Sequence, residues 1–411
     1  MRRISGFGAL AAAAIMVAMA FSSPMSAGDG DEKWTVMVYM DADNSLEQFG
    51  WLNLGWLESV GSTDDVNFVV LMDTMTTETE LLYVEKGESI RVDTAGTGQD
   101  LPEELNMGDG ALLEWFIETT YDKYQADRYA MILWDHGGGF NGICWDDTTF
   151  EDKGVEDCIL LPEMREAFWG AYNHTEMVFD VVGFDACLMA MPEVAYQMRG
   201  LADYLVFSEE LVYGQGFPYN AIAEDLVATP DMDGEGLSTV IVEDFAAYYL
   251  SMLGYNDWTI SAFNMDYMDD LTAAVDRLAK EMLESLNVYV NSITNDRFQA
   301  QEYYYFYNVD LMDFAENLVM DTKIKDEGIR DAANDVISAI SGGMTKCLNS
   351  WKNQDSHGLA IYFPMSPESV VFGMKPIYIT IPFAQDTSWY EFIDAFINFH
   401  GRTWTAEKLS Y

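Results

Sequence analysis

Short apolar runs of strand length alternate with helical segments in the first half of this 411-residue chain, and this pattern restricts the fold most strongly. The runs that suit buried strands are Trp34–Met40, Val66–Met72, Arg128–Asp135 and Met177–Phe184. Strands that alternate with helices at this spacing predict a mostly parallel sheet with helices on both faces. The expected fold class is therefore α/β.

The remaining segments predict how this core is extended. Glu80 to Val92 alternates around Lys86-Gly87, which indicates a hairpin outside the main sheet. One long helix is expected over Asp326–Leu348, and another directly after Cys187. We expect residues 34–230 to form the core and residues 231–411 to form a helix-rich half that completes the sheet.

The first 27 residues have the features of a secretory signal peptide. Arg2 and Arg3 precede an apolar region, and small residues end at Ala27. An uncleaved N-terminal anchor is the alternative. Because no later stretch is long and apolar enough to span a bilayer, we expect a secreted or cell-surface protein without a further membrane span.

The composition is strongly acidic, with 69 Asp and Glu against 21 Lys and Arg and a net charge of −48. This charge opposes binding to nucleic acids and anionic membranes. It would attract cationic substrates, although solubility is the simpler explanation. No Cys-x-x-Cys or His-x-x-x-His spacing occurs, so no zinc site is predicted.

Polar residues follow the third and fourth predicted strands. His136 precedes three glycines after one strand, and Asp185-Ala186-Cys187 follows the other. Because catalytic groups collect at the carboxyl ends of parallel strands, His136 and Cys187 can meet as an imidazole and a thiol nucleophile. A following helix would stabilise the thiolate. The alternatives are a histidine that only shapes a turn and an inert core cysteine.

Two carboxylates could determine what such a site binds. Asp185 and Glu209 both lie near predicted strand ends, and a carboxylate at the floor of a pocket would select a cationic side chain, Arg most readily. The glycines after His136 let main-chain N–H groups approach a substrate carbonyl. His-Gly-Gly-Gly also occurs in serine esterases, but their Gly-x-Ser-x-Gly nucleophile motif is missing here.

Five segments together resemble the clostripain family of cysteine peptidases, in the clan of caspases, legumain and gingipains: Trp34–Asn44, Ala126–Gly139, Gly183–Met189, Ser208–Glu210 and Gly358–Pro364. The resemblance implies a caspase-like sheet between helices, with a catalytic core over residues 34–230, and endopeptidase cleavage after Arg or Lys.

The resemblance also assigns roles. His136 matches the catalytic histidine, which acts mainly to protonate the leaving amine. Cys187 matches the nucleophile and Asp185 the acidic residue of the specificity pocket. The N–H groups of Gly137 and Cys187 would form the oxyanion hole.

Relatives of this kind can be zymogens that are cut between the catalytic histidine and cysteine. The loop from Asn141 to Asp157 contains one basic residue, Lys153, and we predict self-cleavage after it. The alternative is an ordinary solvated lysine in a loop that any protease can nick.

No cofactor is required by this chemistry, although calcium dependence occurs in the family. Asp231 to Gly236 begins like an EF-hand loop, but Val242 at the twelfth position cannot supply the bidentate carboxylate. A looser calcium site built from other carboxylates is compatible with the sequence, which does not locate it.

A non-catalytic binding or surface protein on the same fold is the alternative function. A further alternative is a peptidase that prefers a different substrate side chain. The expected partners are proteins or peptides that contain Arg or Lys, and the sequence does not determine the oligomeric state.

Overall fold

The computed structural model describes residues 32–99, 101–147, 157–365 and 374–408. The predicted signal peptide and Lys153 lie outside these residues. The strands are β1 Trp34–Ala42, β2 Val66–Thr74, β3 Thr77–Glu85, β4 Glu88–Arg91, β5 Arg128–Trp134, β6 Ile143–Asp146, β7 Asp157–Ile159, β8 Phe179–Asp185, β9 Ala202–Phe207, β10 Thr259–Asn264, β11 Asn308–Asp310, β12 Met344–Asn349 and β13 Ala360–Tyr362.

The helices are α1 Glu47–Val60, α2 Gly110–Lys123, α3 Leu161–Thr175, α4 Pro192–Ala195, α5 Tyr219–Ala228, α6 Gly234–Ser251, α7 Met268–Glu284, α8 Leu286–Gln299, α9 Leu311–Met320, α10 Glu327–Gly343, α11 Met374–Tyr378, α12 Pro382–Asp386 and α13 Trp389–Lys408. Short 3₁₀ helices occupy Gly139–Asn141, Tyr196–Met198, Met265–Tyr267 and Trp351–Asn353. None of the helices in the described part of the chain has the length and apolar character needed to span a bilayer.

The main sheet has nine strands in the order β12-β10-β9-β8-β5-β1-β2-β3-β4. Its five central strands, from β9 to β2, run parallel, and the strands at both edges are antiparallel. Every residue of β1 and β2 is buried, as expected for strands covered on both faces. The predicted α/β fold with a mostly parallel sheet between helices is confirmed.

Helices cover both faces of the sheet, because alternate residues of each strand point to opposite faces and each face packs against its own apolar core. Val36 and Val38 of β1 pack with apolar residues of α1, α5 and α6. Met37 and Tyr39 pack with residues of α2, α3 and α7 on the opposite face. The period-two alternation of a strand thus divides the apolar core into two layers.

The hairpin prediction was wrong in its placement. β3 and β4 do form a hairpin, but β3 pairs antiparallel with β2, so the hairpin extends the sheet. Leu81, Leu82 and Val84 of β3 are buried, and pairing with the sheet edge shields these apolar side chains from water.

The long helix predicted to reach Leu348 was also wrong at its end. The helix α10 stops at Gly343, and β12 follows and pairs antiparallel with β10. A Cβ atom at Gly343 would lie 2.5 Å from the ring of Phe263, so the glycine allows close packing where the chain changes direction.

The central strands end in register at one edge of the sheet. Met40 of β1 pairs with Trp134 of β5, and Trp134 pairs with Asp185 of β8. The residues that follow these three strands therefore come together at the carboxyl edge, where open parallel sheets place their sites.

Candidate active site

A cavity of about 540 Å³ lies at this carboxyl edge. It is lined by His136 and Gly137 after β5, by Asp185 at the end of β8 and by Cys187 just beyond it. The other residues that line the cavity are Leu46, Trp134, Asp135, Gly138, Asn141, Trp145, Asp147, Leu188, Leu211, Val212, Tyr213, Gly214, Gly216, Tyr304 and Tyr305. The structure therefore brings four of the predicted site residues together.

His136 is half-buried at the cavity wall. Its Nε2 atom lies 3.0 Å from Oγ of Ser45, an exposed residue of the loop after β1. Burial lowers the pKa of His136, and the negative charge of Asp147 partly offsets this effect. The imidazole is therefore mostly neutral near pH 7 and can accept a proton. Sequence analysis missed both Ser45 and Asp147.

The histidine loop is anchored to the loop after β1 by Asn44. The Asn44 amide donates to Asp135 Oδ1 at 2.7 Å and to the Trp145 carbonyl at 3.2 Å. Asp135 Oδ2 accepts from the Trp145 N–H at 2.5 Å. These buried bonds fix the backbone on both sides of His136.

Cys187 lies just beyond β8, and its Sγ accepts a hydrogen bond from the Val212 N–H at 3.3 Å. Burial raises the pKa of Cys187 to about 11, and the negative charges of Asp135, Asp185 and Glu210 also raise it, whereas the Val212 N–H lowers it. The resting thiol is therefore protonated at neutral pH.

The predicted helix directly after Cys187 is wrong. Leu188 has a left-handed backbone with φ 66°, and the four-residue helix α4 starts only at Pro192. A helix this short and this distant from the sulfur does not stabilise the thiolate. The strained Leu188 backbone instead turns the chain away from the sheet at the cysteine.

Gly137 packs directly against the backbone of Cys187. A Cβ atom at Gly137 would lie 2.2 Å from the Cys187 carbonyl oxygen and 2.8 Å from its nitrogen. Only glycine fits at this distance. The two peptide groups predicted to hold an oxyanion are therefore adjacent.

Asp185 is a buried carboxylate in the cavity wall with 4% of its surface exposed. Its Oδ2 accepts from the Phe217 N–H at 2.9 Å and from the Tyr219 hydroxyl at 3.1 Å. Its Oδ1 is buried and has no hydrogen-bond partner among the described residues. Burial raises the pKa of Asp185 to about 7, and the two hydrogen bonds partly oppose this shift.

At Gly216 the backbone packs directly against the carboxylate of Asp185. It has φ 62°, and a Cβ atom there would lie 2.4 Å from Asp185 Oδ2. Its carbonyl accepts from the Tyr249 hydroxyl at 2.9 Å, which holds this wall in place. A side chain at position 216 would therefore displace the carboxylate.

The structure does not bring Glu209 to the cavity. Glu209 is 1% exposed, and its N–H donates to Thr259 Oγ1 at 2.8 Å. Its carboxyl faces Asp310. Burial raises the pKa of Glu209, and the charge of Asp310 raises it further. The adjacent Glu210 is nearer the site, since its Oε1 accepts from the N–H groups of two cavity residues, Leu211 at 2.8 Å and Tyr304 at 3.2 Å.

The protonated thiol leads to a prediction about alkylation. The rate at which iodoacetamide modifies Cys187 should rise about tenfold per pH unit up to pH 9, because the thiolate fraction rises in this way below a pKa of about 11. Modification would be followed by the mass of the Cys187 peptide, with Cys187→Ala as the background. A rate that is constant between pH 5 and 8 would instead indicate a preformed thiolate–imidazolium pair.

A histidine, a cysteine and glycine backbone line one cavity, and this arrangement suits the chemistry of a cysteine peptidase. The family model described as the Clostripain family matches residues 38–396. The chain belongs to this family, so the predicted family and enzyme class are confirmed.

One curated relative and two solved structures illustrate what the chain is similar to, and the two structures share its fold. Clostripain from Hathewaya histolytica is 25% identical, and the match covers 89% of this chain and 80% of that protein. A secreted C11 cysteine protease from Bacteroides thetaiotaomicron, solved with an irreversible peptide inhibitor, superposes with a TM-score of 0.64 at 21% identity, covering 88% of this chain and 99% of the other. An inactive zymogen C11 protease from Parabacteroides distasonis gives 0.62 at 22% identity, covering 88% and 98%.

Proposed function

We propose that this chain is a secreted endopeptidase that cleaves peptide bonds on the carboxyl side of Arg or Lys. The observation that carries the proposal is the buried Oδ1 of Asp185, which lies in the cavity wall without a partner among the described residues. A substrate guanidinium or ammonium would supply the missing hydrogen bonds and the opposite charge.

The cavity also suits the stem of a long basic side chain. Tyr213, Tyr304 and Tyr305 line it together with Asp185. Aromatic rings pack against the methylene groups of Arg or Lys and attract the charged head. The cavity combines the Asp185 carboxylate with aromatic rings, and it therefore favours a long cationic side chain over a short neutral one.

The catalytic steps follow from the placement of His136 and Cys187. The Cys187 sulfur attacks the scissile carbonyl as its proton is transferred to the neutral imidazole of His136. The N–H groups of Gly137 and Cys187 stabilise the oxyanion. The imidazolium then protonates the leaving amine, and water, deprotonated by His136, hydrolyses the thioester and restores the thiol.

A panel of fluorogenic peptides ending in Arg, Lys, Asn or Asp tests this specificity. We expect turnover of the Arg and Lys peptides and little of the other two, because only a cation pairs with Asp185. A preference for Asn or Asp peptides would contradict the role of Asp185. Failure of a folded, unblocked protein to cleave any of the four would favour a binding protein that retains the fold without catalysis.

Self-cleavage after Lys153 is part of the proposal. The intact mass of the wild-type protein should give two fragments that separate after residue 153, because a Lys in a polar segment predicted as a loop suits the proposed specificity. Cys187→Ala should remain intact until active enzyme is added, and Lys153→Ala should remain intact in both conditions. Cleavage of Lys153→Ala elsewhere in the same loop would contradict the assignment of Lys153.

A further inference from the structure

The catalytic cavity contains an exposed carboxylate in addition to the buried Asp185. Asp147, the first residue after β6, lines the cavity and is exposed to solvent. It forms no ion pair with Lys, Arg or His in the part of the chain that the structure describes. A carboxylate that lines a cavity without a cation of its own is available to a cationic group of the substrate.

Asp147 lies on the side of the cavity that carries His136. Its N–H donates to the Asp43 carbonyl at 2.9 Å, in the loop after β1. Ser45 in the same loop places its Oγ 3.0 Å from His136 Nε2. The negative charge of Asp147 also acts on the imidazole, since it raises the pKa of His136 against the effect of burial. One loop therefore holds both the backbone of Asp147 and the ring of His136.

Asp185 lies instead on the side of the cavity that carries the sulfur. It precedes Cys187 by two residues, and its Oδ2 accepts from the Phe217 N–H at 2.9 Å. The same segment after β9 supplies the Val212 N–H that donates to the Cys187 sulfur at 3.3 Å. The two carboxylates therefore belong to different halves of the site, Asp185 to the cysteine and Asp147 to the histidine.

This division determines which part of a substrate each carboxylate meets. In the proposed mechanism, the Cys187 sulfur bonds to the scissile carbonyl carbon, and His136 protonates the amine that leaves. The residue before the scissile bond places its side chain at Asp185. The residue after the bond carries the leaving amine, so it lies at His136 and next to Asp147.

We propose that Asp147 selects peptides with Lys or Arg directly after the scissile bond, so that pairs of basic residues are the preferred cleavage sites. This inference rests on the proposed function, in which cleavage follows Arg or Lys. An ammonium or guanidinium group on the leaving residue pairs with the Asp147 carboxylate, whereas a Glu at that position is repelled. Because Asp147 is exposed, the preference for a cation amounts to about fivefold or less.

Internally quenched peptides that differ only in the residue after the scissile bond test the inference. Each peptide has Arg before the bond and Lys, norleucine or Glu after it, and norleucine retains the aliphatic stem of Lys without the charge. For the wild type, we expect kcat/KM to be about threefold to fivefold higher with Lys than with norleucine, and lowest with Glu. High salt should reduce this preference more than the preference for Arg before the bond, because salt screens the exposed Asp147 more than the buried Asp185.

Two substitutions of Asp147 separate its charge from other effects. Asp147→Asn should bring the ratio of the Lys to the norleucine rate to about one, and Asp147→Lys should make the Glu peptide the best of the three. The ratio is the quantity to measure, because the loss of Asp147 also changes the pKa of His136, which affects all three peptides alike. Asp331→Asn, which removes an exposed carboxylate of α10 outside the cavity, should preserve the wild-type ratio.

The possible results distinguish this inference from the proposed function. Cleavage after Arg with equal rates for the three peptides overturns only the role of Asp147, as does a Lys preference that persists in a folded Asp147 variant. If one of the two variants does not fold, the other is sufficient. If the enzyme prefers another residue before the bond, the same series built on that residue decides the role of Asp147. Failure to cleave any peptide overturns both proposals.

Discussion

Cys187→Ala should reduce kcat/KM for an Arg peptide by about 10⁴-fold or more, because no other described residue that lines the cavity is a Cys, Ser or Thr. The oxyanion donors and the Asp185 carboxylate remain in this variant, so peptide binding should change little. Initial rates on a fluorogenic Arg peptide, together with the binding of a non-cleavable analogue, measure both effects.

Cys347→Ala is the matched control for this substitution. Cys347 is also a free cysteine whose pKa is raised by burial, but it lies in β12 and does not line the cavity. Its replacement should leave kcat/KM within a factor of two or three. Equal losses in the two variants, or activity retained by Cys187→Ala, would contradict the assignment of the nucleophile.

Asp185→Asn should lower kcat/KM for Arg and Lys peptides by about 100-fold or more, because an uncharged amide cannot pair with the buried cation. A peptide with citrulline, the neutral analogue of Arg, should lose far less. The ratio of the Arg to the citrulline rate therefore measures the charge pair separately from general damage to the cavity.

Glu193→Gln is a matched control for the loss of a buried carboxyl. Burial raises the pKa of Glu193 to about 7, as for Asp185, and its Oε1 accepts from the Tyr362 N–H and the Tyr378 hydroxyl, but it does not line the cavity. The Glu193→Gln substitution should change the stability of the protein without changing the ratio of the Arg to the citrulline rate. Equal loss of all substrates with Asp185→Asn would mean that Asp185 is only structural.

The pH profile gives an independent test of the same carboxyl. Below a pKa of about 7, Asp185 is protonated and neutral, so the charge that attracts Arg is lost as the pH falls. For the wild type, kcat/KM on Arg peptides should decrease below pH 7 more steeply than kcat/KM on citrulline peptides. In Asp185→Asn, this difference between the two substrates should disappear.

The residues at strand ends could be predicted from the sequence. His136, Gly137, Asp185 and Cys187 each lie within three residues of a predicted buried strand, and the parallel arrangement is sufficient to place such residues at one edge. Glu209 satisfied the same rule, yet it turns into the interior beside Asp310. Two residues beyond a strand, the direction of a side chain depends on the turn and not on the strand period.

The other residues at the cavity are positioned by contacts that leave no local pattern in the sequence. Ser45 contacts His136 from the loop after β1, and Asn44 in the same loop donates to Asp135 after the neighbouring strand β5. Tyr304 and Tyr305 enter the cavity from the distant segment between α8 and β11. The buried carboxylates Asp41 and Asp73 are likewise brought together by the β1–β2 register, whereas composition showed only a surplus of carboxylates.

Tyr304 and Tyr305 come late in the sequence. This affects the order in which the residues of the active site are synthesised. The nucleophile and the histidine are synthesised early, but the wall that these two tyrosines contribute is added more than a hundred residues after Cys187. A nascent chain that has just emerged from the ribosome therefore carries both reactive groups without a complete substrate cleft. The lining of the cavity is therefore complete only after most of the sequence has been translated.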